Sequence, residues 1–325
     1  MSPSALWLRL SGLLAAAVAV AAASLLIGSA GIDPGQAWRA LAGSGTDPAA
    51  WQVIADLRLP RLLAGFGVGS LLALSGVLLQ ALFRNPLADP YVLGVSGGAA
   101  VGALLAMLAG ATAALVQSAA VLGAWTAVGL VYVLARGGGT ARLLLTGVVL
   151  ASACGAVVSV LLAVADTSEL RGMVFWLAGD LGWASQPWMS VGGAAVAVTL
   201  AVVLARPLNV LASGELRART VGLDFGLWRT LVFLACSALT ALAVVSAGTV
   251  GFVGLVTPHA VRLLFRTADH RVVAPASALL GGTLLAAADL LARTVASPRQ
   301  LPVGALMALV GAPLFVALLR QRRAR

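Results

Sequence analysis

The sequence predicts an all-α protein that crosses a membrane about ten times, with both termini on the cytoplasmic side. Of its 325 residues, 61% are hydrophobic and only 10% are charged, and the mean hydropathy is +1.02. Soluble domains contain about 25% charged residues, so this chain has too few charges to cover a water-exposed surface. Two further observations agree: apolar runs recur along the chain, and the arginines are divided unequally between alternate loops.

Ten apolar segments approach the length of about 20 residues that a helix needs to cross a ~30 Å hydrocarbon core. The first has Arg9 as a basic flank, and because nine spans follow it we interpret it as an uncleaved helix rather than a signal peptide. The eighth is short and contains Pro258 and His259. The ten segments are Leu13–Ile27, Leu62–Phe83, Tyr91–Leu108, Ala111–Leu134, Leu143–Ala165, Trp188–Ala205, Thr230–Ala247, Val250–Leu264, Val272–Leu291 and Leu301–Leu319.

The distribution of arginine predicts the orientation. With ten spans and the N-terminus inside, 15 arginines fall on the cytoplasmic side and six outside, which obeys the positive-inside rule. The net charge of +10 therefore follows from topology and does not indicate nucleic-acid binding. The six external arginines are Arg39, Arg58, Arg61, Arg171, Arg293 and Arg299.

Two segments outside the spans have helical character. Residues 208–228 form the longest cytoplasmic loop, with a helical middle and with Gly214 and Gly222 as breakers. On the outside, Ser168 and Glu169 begin a short amphipathic helix after the fifth span. We expect a single membrane domain, 1–325, whose five-plus-five arrangement permits inverted halves at about 1–165 and 188–325.

Composition also excludes several kinds of chemistry. Every basic residue is arginine, so a Schiff-base enzyme and a phosphate-binding loop, which need lysine, are excluded, and any ATPase belongs to another chain. His270 is expected to be solvated in a polar turn and His259 to be a satisfied interfacial residue, so no catalytic residue or metal ligand is predicted. Asp289 is predicted to pair with Arg293 four residues later. It is not expected to carry protons across the membrane.

Several motifs, taken together, resemble the FecCD-type permeases, the membrane subunits of type II ABC importers for iron chelates, haem and cobalamin. The resemblance covers nearly the whole chain in order. The motifs are RLPR at 58–61, ALSGVLLQALFRNPLADP, LGVSGGA at 93–99, ARLLLTGV at 141–148, LASGELRARTVGL, GTVGFVGLVTPHAVRLL at 248–264, DHR at 269–271 and LPVGALMALVGAPLF at 301–315.

This resemblance implies a multi-pass permease of the bacterial cytoplasmic (inner) membrane that is not itself an enzyme. Its implied partners are a second permease copy in a homodimer, an ABC ATPase subunit, a periplasmic or surface binding protein and membrane lipid. The chain is expected to bind no cofactor, with ATP and Mg on the ATPase. Ferric siderophore is the first substrate choice, with haem and cobalamin as alternatives. The rival class, an ion-coupled secondary transporter, predicts mid-membrane ionisable residues that this sequence lacks.

The resemblance also assigns residues. Ala141 stands where the family often has a hydroxyl residue, so gating there is expected to be steric. The residues that match binding-protein docking positions are Arg58, Arg61 and Arg293. Those that match the cytoplasmic gate are Asn85, Leu87, Thr140 and Ala141. Those that match ATPase coupling positions are Gly214, Glu215, Ala218, Gly222 and Leu223. Those expected at the pathway mouth are Met173, Phe175 and Trp176.

Overall fold

The computed structural model describes residues 3–29, 31–44, 48–184 and 186–323, and within these ranges the chain is helical with no strand. Among these described residues, six helices are long and apolar enough to cross a membrane, and three shorter apolar helices and one bent pair fall at the other predicted spans. A polytopic all-α fold is therefore confirmed. The α-helices are α1 Pro3–Leu26, α2 Pro34–Leu41, α3 Pro48–Gln52, α4 Leu59–Phe83, α5 Val95–Leu108, α6 Ala113–Leu134, α7 Thr140–Val164, α8 Thr167–Leu177, α9 Pro187–Val203, α10 Ala205–Ser213, α11 Glu215–Thr220, α12 Phe225–Ala247, α13 Val253–Phe265, α14 His270–Thr294 and α15 Val303–Arg323.

Helix α4 is the central helix of the bundle. It follows a π-helical turn at Val53–Arg58 and packs against α9, α12, α13 and α14. Glycine lets these backbones approach closely, since a Cβ at Gly69 or Gly76 would overlap backbone atoms of Gly281 or Gly254, respectively. In the most apolar 18-residue stretch that includes α4, 89% of the residues are buried.

Helix α7 has the opposite environment. Only 11% of its most apolar stretch is buried, and large side chains such as Leu145, Val149 and Val160 are exposed along its length. The chain therefore presents a long apolar helix face beside a densely packed centre.

The segments outside the predicted spans fold as the sequence indicates. The short helix after the fifth span is α8. The helical middle of the long loop comprises the end of α10 and α11, which are separated by Gly214. Helices α9 and α10 meet at an angle of 69°. Pro207 explains this bend. In a continuous helix its ring would clash with the carbonyl group of Val203, four residues earlier, and it has no N–H to donate to that carbonyl.

Candidate functional site

The predicted functional residues gather at two ends of the bundle, which α14 connects. His270 lies at its start and Asp289 near its finish, 19 residues later, so the two ends are roughly 29 Å apart at 1.5 Å per residue. We call the end that contains α10 and α11 the coupling end, and the end that contains Asp289 the cluster end.

An ion-pair network, the arginine cluster, closes the cluster end. Arg61 donates from Nε to Asp289 Oδ1 at 2.8 Å and from Nη1 to Gln300 Oε1 at 2.8 Å, and its Nη2 lies 3.4 Å from Asp180 Oδ1. Arg293 Nε lies 2.9 Å from Asp289 Oδ2, so the predicted Asp289–Arg293 pair is confirmed. One buried carboxylate is therefore shared between two arginines from different helices.

Arg58 belongs to the same region but has a different partner. Its Nη1 donates to the carbonyl oxygens of Leu25 and Leu26 at 2.8 and 2.9 Å. These carbonyls belong to the last turn of α1, where helices have acceptors without an intrahelical donor and where positive charge is favourable. Arg58 therefore fastens α1 to the bundle.

The three arginines predicted for docking are thus brought together, but they are turned inward. Arg58 and Arg293 are only 2% and 4% exposed, while Arg61 keeps 14% of its side chain accessible. The sequence predicts the Asp289–Arg293 pair. It does not predict the contacts of Arg61 with Asp289 and Asp180, or those of Arg58 with two backbone carbonyls.

At the coupling end, a tight contact joins the gate loop after α4 to the start of α11. Gly214 has φ +107°, a conformation that side-chain-bearing residues rarely adopt, and a Cβ there would lie 2.8 Å from Arg84 Nη1. Arg84 ends α4 in the left-handed conformation and directly precedes Asn85. Gly214, predicted as a helix breaker, therefore also lies directly against the Arg84 guanidinium.

The predicted coupling residues divide between surface and core. Glu215 and Gly222 are exposed, but Ala218 and Gly214 are buried, and Leu223 is half-buried with its N–H donating to the Ala218 carbonyl. Ala218 therefore packs against its own chain, and its coupling role stays a prediction.

Two apolar residues of this segment were missed. Leu216 is 81% exposed and Val221 is 63% exposed, at the two ends of α11. Their signal in the sequence is that they are the only large apolar residues in the charged segment 215–221.

Both predicted gate loops have defined turns. Asn85 Oδ1 accepts a hydrogen bond from Leu87 N–H at 2.9 Å, an Asx turn that leaves Leu87 exposed at the tip. The second loop leads into α7, whose first residues are Thr140 and Ala141. Its Gly138 carbonyl accepts a hydrogen bond from Arg229 Nη1 at 2.8 Å.

Of the three residues predicted at the pathway mouth, two are buried. Met173 and Trp176 are fully buried in the hydrophobic core, because their spacing of three residues puts both on the inner face of α8. Phe175 is half-buried, with the Arg171 guanidinium 5.6 Å from its ring centre. Of the three residues, Phe175 is therefore the one whose side chain is partly exposed.

The expectation that His270 is solvated is wrong. Its side chain is 2% exposed, with Nδ1 2.5 Å from Asn209 Oδ1, and Asn209 Nδ2 donates to Asp269 Oδ1 at 2.9 Å. This Asn209 hydrogen bond is the main reason that the pKa of Asp269 lies below its ordinary value. The network ties α10 to the start of α14. His259 is also buried, edge-on to the Phe315 ring.

Among the described residues, no group of three or more His, Cys, Asp or Glu side chains has the arrangement of a metal site. The molecule is instead a helical membrane bundle with an arginine cluster at one end and a short surface helix, preceded by Gly214, at the other. These features are typical of a membrane subunit that works with partners.

Comparison with known proteins defines that class further. The profile of the FecCD transport family matches residues 14–321. The chain belongs to the FecCD transport family, as its motifs indicate, and the expectation that it is a permease subunit and not an enzyme is confirmed.

Similar proteins include the cobalamin import system permease protein BtuC of Halobacterium salinarum, 45% identical over 86% of this chain and 77% of the relative. The hemin transport system permease protein HmuU of Yersinia pestis is 39% identical over 93% of both chains. A solved structure described as an inward-facing conformation of a metal-chelate type ABC transporter has a TM-score of 0.84 and 32% identity, covering 98% of this chain and all of its own.

Proposed function

We propose that this chain is the permease subunit of an ABC importer that carries a metal chelate across the bacterial cytoplasmic membrane, and that the chelate is cobalamin or haem. The names of the similar permeases support this substrate class. Ferric siderophore, the first choice from the sequence, becomes the alternative because none of these relatives carries a siderophore name. The ten-span topology with both termini inside remains part of the proposal.

Two surfaces suit the expected protein partners. We assign the ATPase, with its ATP and Mg, to the coupling end, where Leu216 and Val221 provide exposed apolar anchors beside the charges of Glu215 and Arg219. We assign the binding protein to the cluster end, with Arg61 as the most accessible member of the arginine cluster. Arginine suits this role because its planar fork binds carboxylates bidentately.

A second permease copy is proposed to lie against α7. The apolar face of α7 is exposed along the length of the helix, and its first residues are the predicted gate residues Thr140 and Ala141. Two such faces opposite one another would enclose a largely apolar path.

The observation that carries the mechanism is that an arginine connects each gate loop to the coupling segment. Arg84 places the loop of Asn85 against Gly214, and Arg229, the residue directly after the coupling segment, holds the loop before Thr140 through Gly138. A displacement of α11 by the ATPase therefore reaches both loops at once. Alternating access follows if this displacement opens and closes the gate.

Reconstitution tests the function. The chain is placed in vesicles with its ATPase and loaded binding protein, and uptake of labelled cobalamin, haem and a ferric siderophore is measured with and without internal ATP. We expect ATP-dependent uptake of cobalamin or haem. Uptake that persists without ATP and follows a proton or sodium gradient would refute the proposal.

The coupling contact is tested by Gly214→Ala, which forces a Cβ into Arg84 and strains φ. Uptake is expected to fall at least about 10-fold, the equivalent of roughly 1.4 kcal/mol, while the ATPase still copurifies. Gly43→Ala is the matched control, because Gly43 also has positive φ (+68°) but no atom within 4 Å of the added Cβ. Equal uptake by both variants would show that the contact between Gly214 and Arg84 is not needed for transport.

A further inference from the structure

A small cavity of about 150 Å³ lies at the coupling end, where the end of α6, the loop into α7 and the first turns of α12 meet. Arg136 and Arg229 line it, together with Gly137 and Gly138 of the loop. Sites for whole small molecules have volumes of roughly 300–1,000 Å³, so this cavity is suited to a single charged group.

Three arginines converge on Gly138. Arg229 Nη1 donates to the Gly138 carbonyl at 2.8 Å, which places this guanidinium at the wall of the cavity. The stem of Arg142 lies on the same glycine, because a Cβ at Gly138 would overlap Arg142 Cδ. Arg136 precedes Gly138 by two residues and is exposed. A short loop therefore brings three positive charges close together.

These charges have no counterion within the described part of the chain. No Asp or Glu is among the residues that line the cavity, and the ion pairs of the described residues include none of the three arginines. Like charges held close together repel, and an anion placed among them relieves that repulsion. The planar guanidinium group binds phosphate in a bidentate manner, so a phosphate group is a suitable anion.

The surface beside the cavity is apolar and exposed. Tyr132 lies at the cavity and is exposed, as is typical of aromatic residues at a membrane interface. Along α6, Gly129 has open space around it and Trp125, two turns from Tyr132, is exposed. On α12, Leu234 is exposed one turn beyond Thr230, which lines the cavity. A positive cavity that adjoins an exposed apolar surface fits an amphiphile with an anionic head group.

We propose that this cavity binds the phosphate group of an anionic phospholipid, held by Arg136 and Arg229, with an acyl chain along the exposed surface of α6 and α12. Basic pockets between membrane helices on the cytoplasmic side suit such head groups. Because Arg229 also holds the loop before Thr140, the bound lipid fastens this loop to α6 and α12. The cytoplasmic position rests on the proposed topology, but lipid binding requires neither the substrate nor the ATPase.

Native mass spectrometry of the full chain in detergent tests the site. Phosphatidylglycerol and phosphatidylcholine with identical acyl chains are titrated at constant ionic strength, and the lipid retained per chain is measured. We expect saturable binding that prefers phosphatidylglycerol. An arginine near an anionic lipid contributes roughly 5-fold in affinity, so Arg136→Gln combined with Arg229→Gln should weaken phosphatidylglycerol binding about 25-fold.

The matched control combines Arg217→Gln with Arg271→Gln. Both arginines are exposed at the coupling end and neither lines the cavity, so the variant loses the same charge and should keep the affinity. If Arg229→Gln does not fold, Arg136→Gln alone should weaken binding about 5-fold.

Three outcomes would overturn the proposal. Equal retention of the two lipids would show that the head-group charge is not recognised. Equal weakening in the cavity variant and the control would show that only the net charge of the protein attracts the lipid. Inorganic phosphate or glycerol phosphate that binds the cavity as tightly as phosphatidylglycerol would identify the occupant as a soluble phosphate.

Discussion

Helices α4 and α7 have nearly the same length and similar apolar composition, yet one is buried on all sides and the other is mostly exposed. Glycine is placed differently in the two helices. In α4, Gly69 and Gly76 meet the backbones of neighbouring helices. In α7, Gly147 meets the backbone of Val92 and Leu93, but Gly155 has open space around it. Hydropathy identifies both helices as spans, but only their contacts with neighbouring helices distinguish the buried α4 from the exposed α7.

The largest expected effect comes from adding a side chain at a close contact of α4. In Gly76→Val the added side chain would overlap the Gly254 carbonyl. The free energy of unfolding should fall by more than about 4 kcal/mol, so that little folded protein remains. Gly155→Val, the same substitution on α7, should change stability by less than about 1 kcal/mol. Yield and elution profile on size-exclusion chromatography in detergent distinguish them. Similar losses in both variants would break the comparison.

A smaller loss of folding stability is expected from a change at the ion pairs between α14 and the start of α4. Asp289→Asn leaves Arg61 and Arg293 without their shared carboxylate and should cost about 3 kcal/mol. The control Glu215→Gln removes an ion pair with Arg219 whose side chains are 52% and 70% exposed, and should cost no more than about 0.5 kcal/mol. Tm in detergent compares the two. A Tm for Asp289→Asn close to that of the control would mean that the buried pair contributes little.

The smallest effect on the single chain is expected from α7. Val160 is 62% exposed, so Val160→Ala should change stability of the isolated chain by less than about 0.5 kcal/mol. If α7 lies against a second copy, the same change should weaken the dimer by about 1 kcal/mol, because apolar packing is then lost. Unfolding and dimer dissociation are measured separately, and a dimer that is unaffected would place the partner copy on another face.

Local pattern was sufficient for features that depend on neighbours in sequence. The Asp289–Arg293 pair, the start of α8 and the break at Gly214 all follow from residues within about four positions of one another. Long-range partners were not accessible in this way. His270 is buried because Asn209, 61 residues earlier, folds against it, and Arg61 reaches Asp180 across 119 residues. The polar turn at residues 269–271 is therefore packed against α10 instead of being exposed to solvent.

Several contacts that hold this protein together have a guanidinium group on one side and backbone on the other. Arg58 holds the end of α1, Arg229 holds the loop before α7, and Arg84 lies over Gly214. Arginine keeps its proton at any pH a cell encounters, whereas a buried lysine titrates readily. Because the chain contains no lysine, all of its basic side chains, including these three, are guanidinium groups.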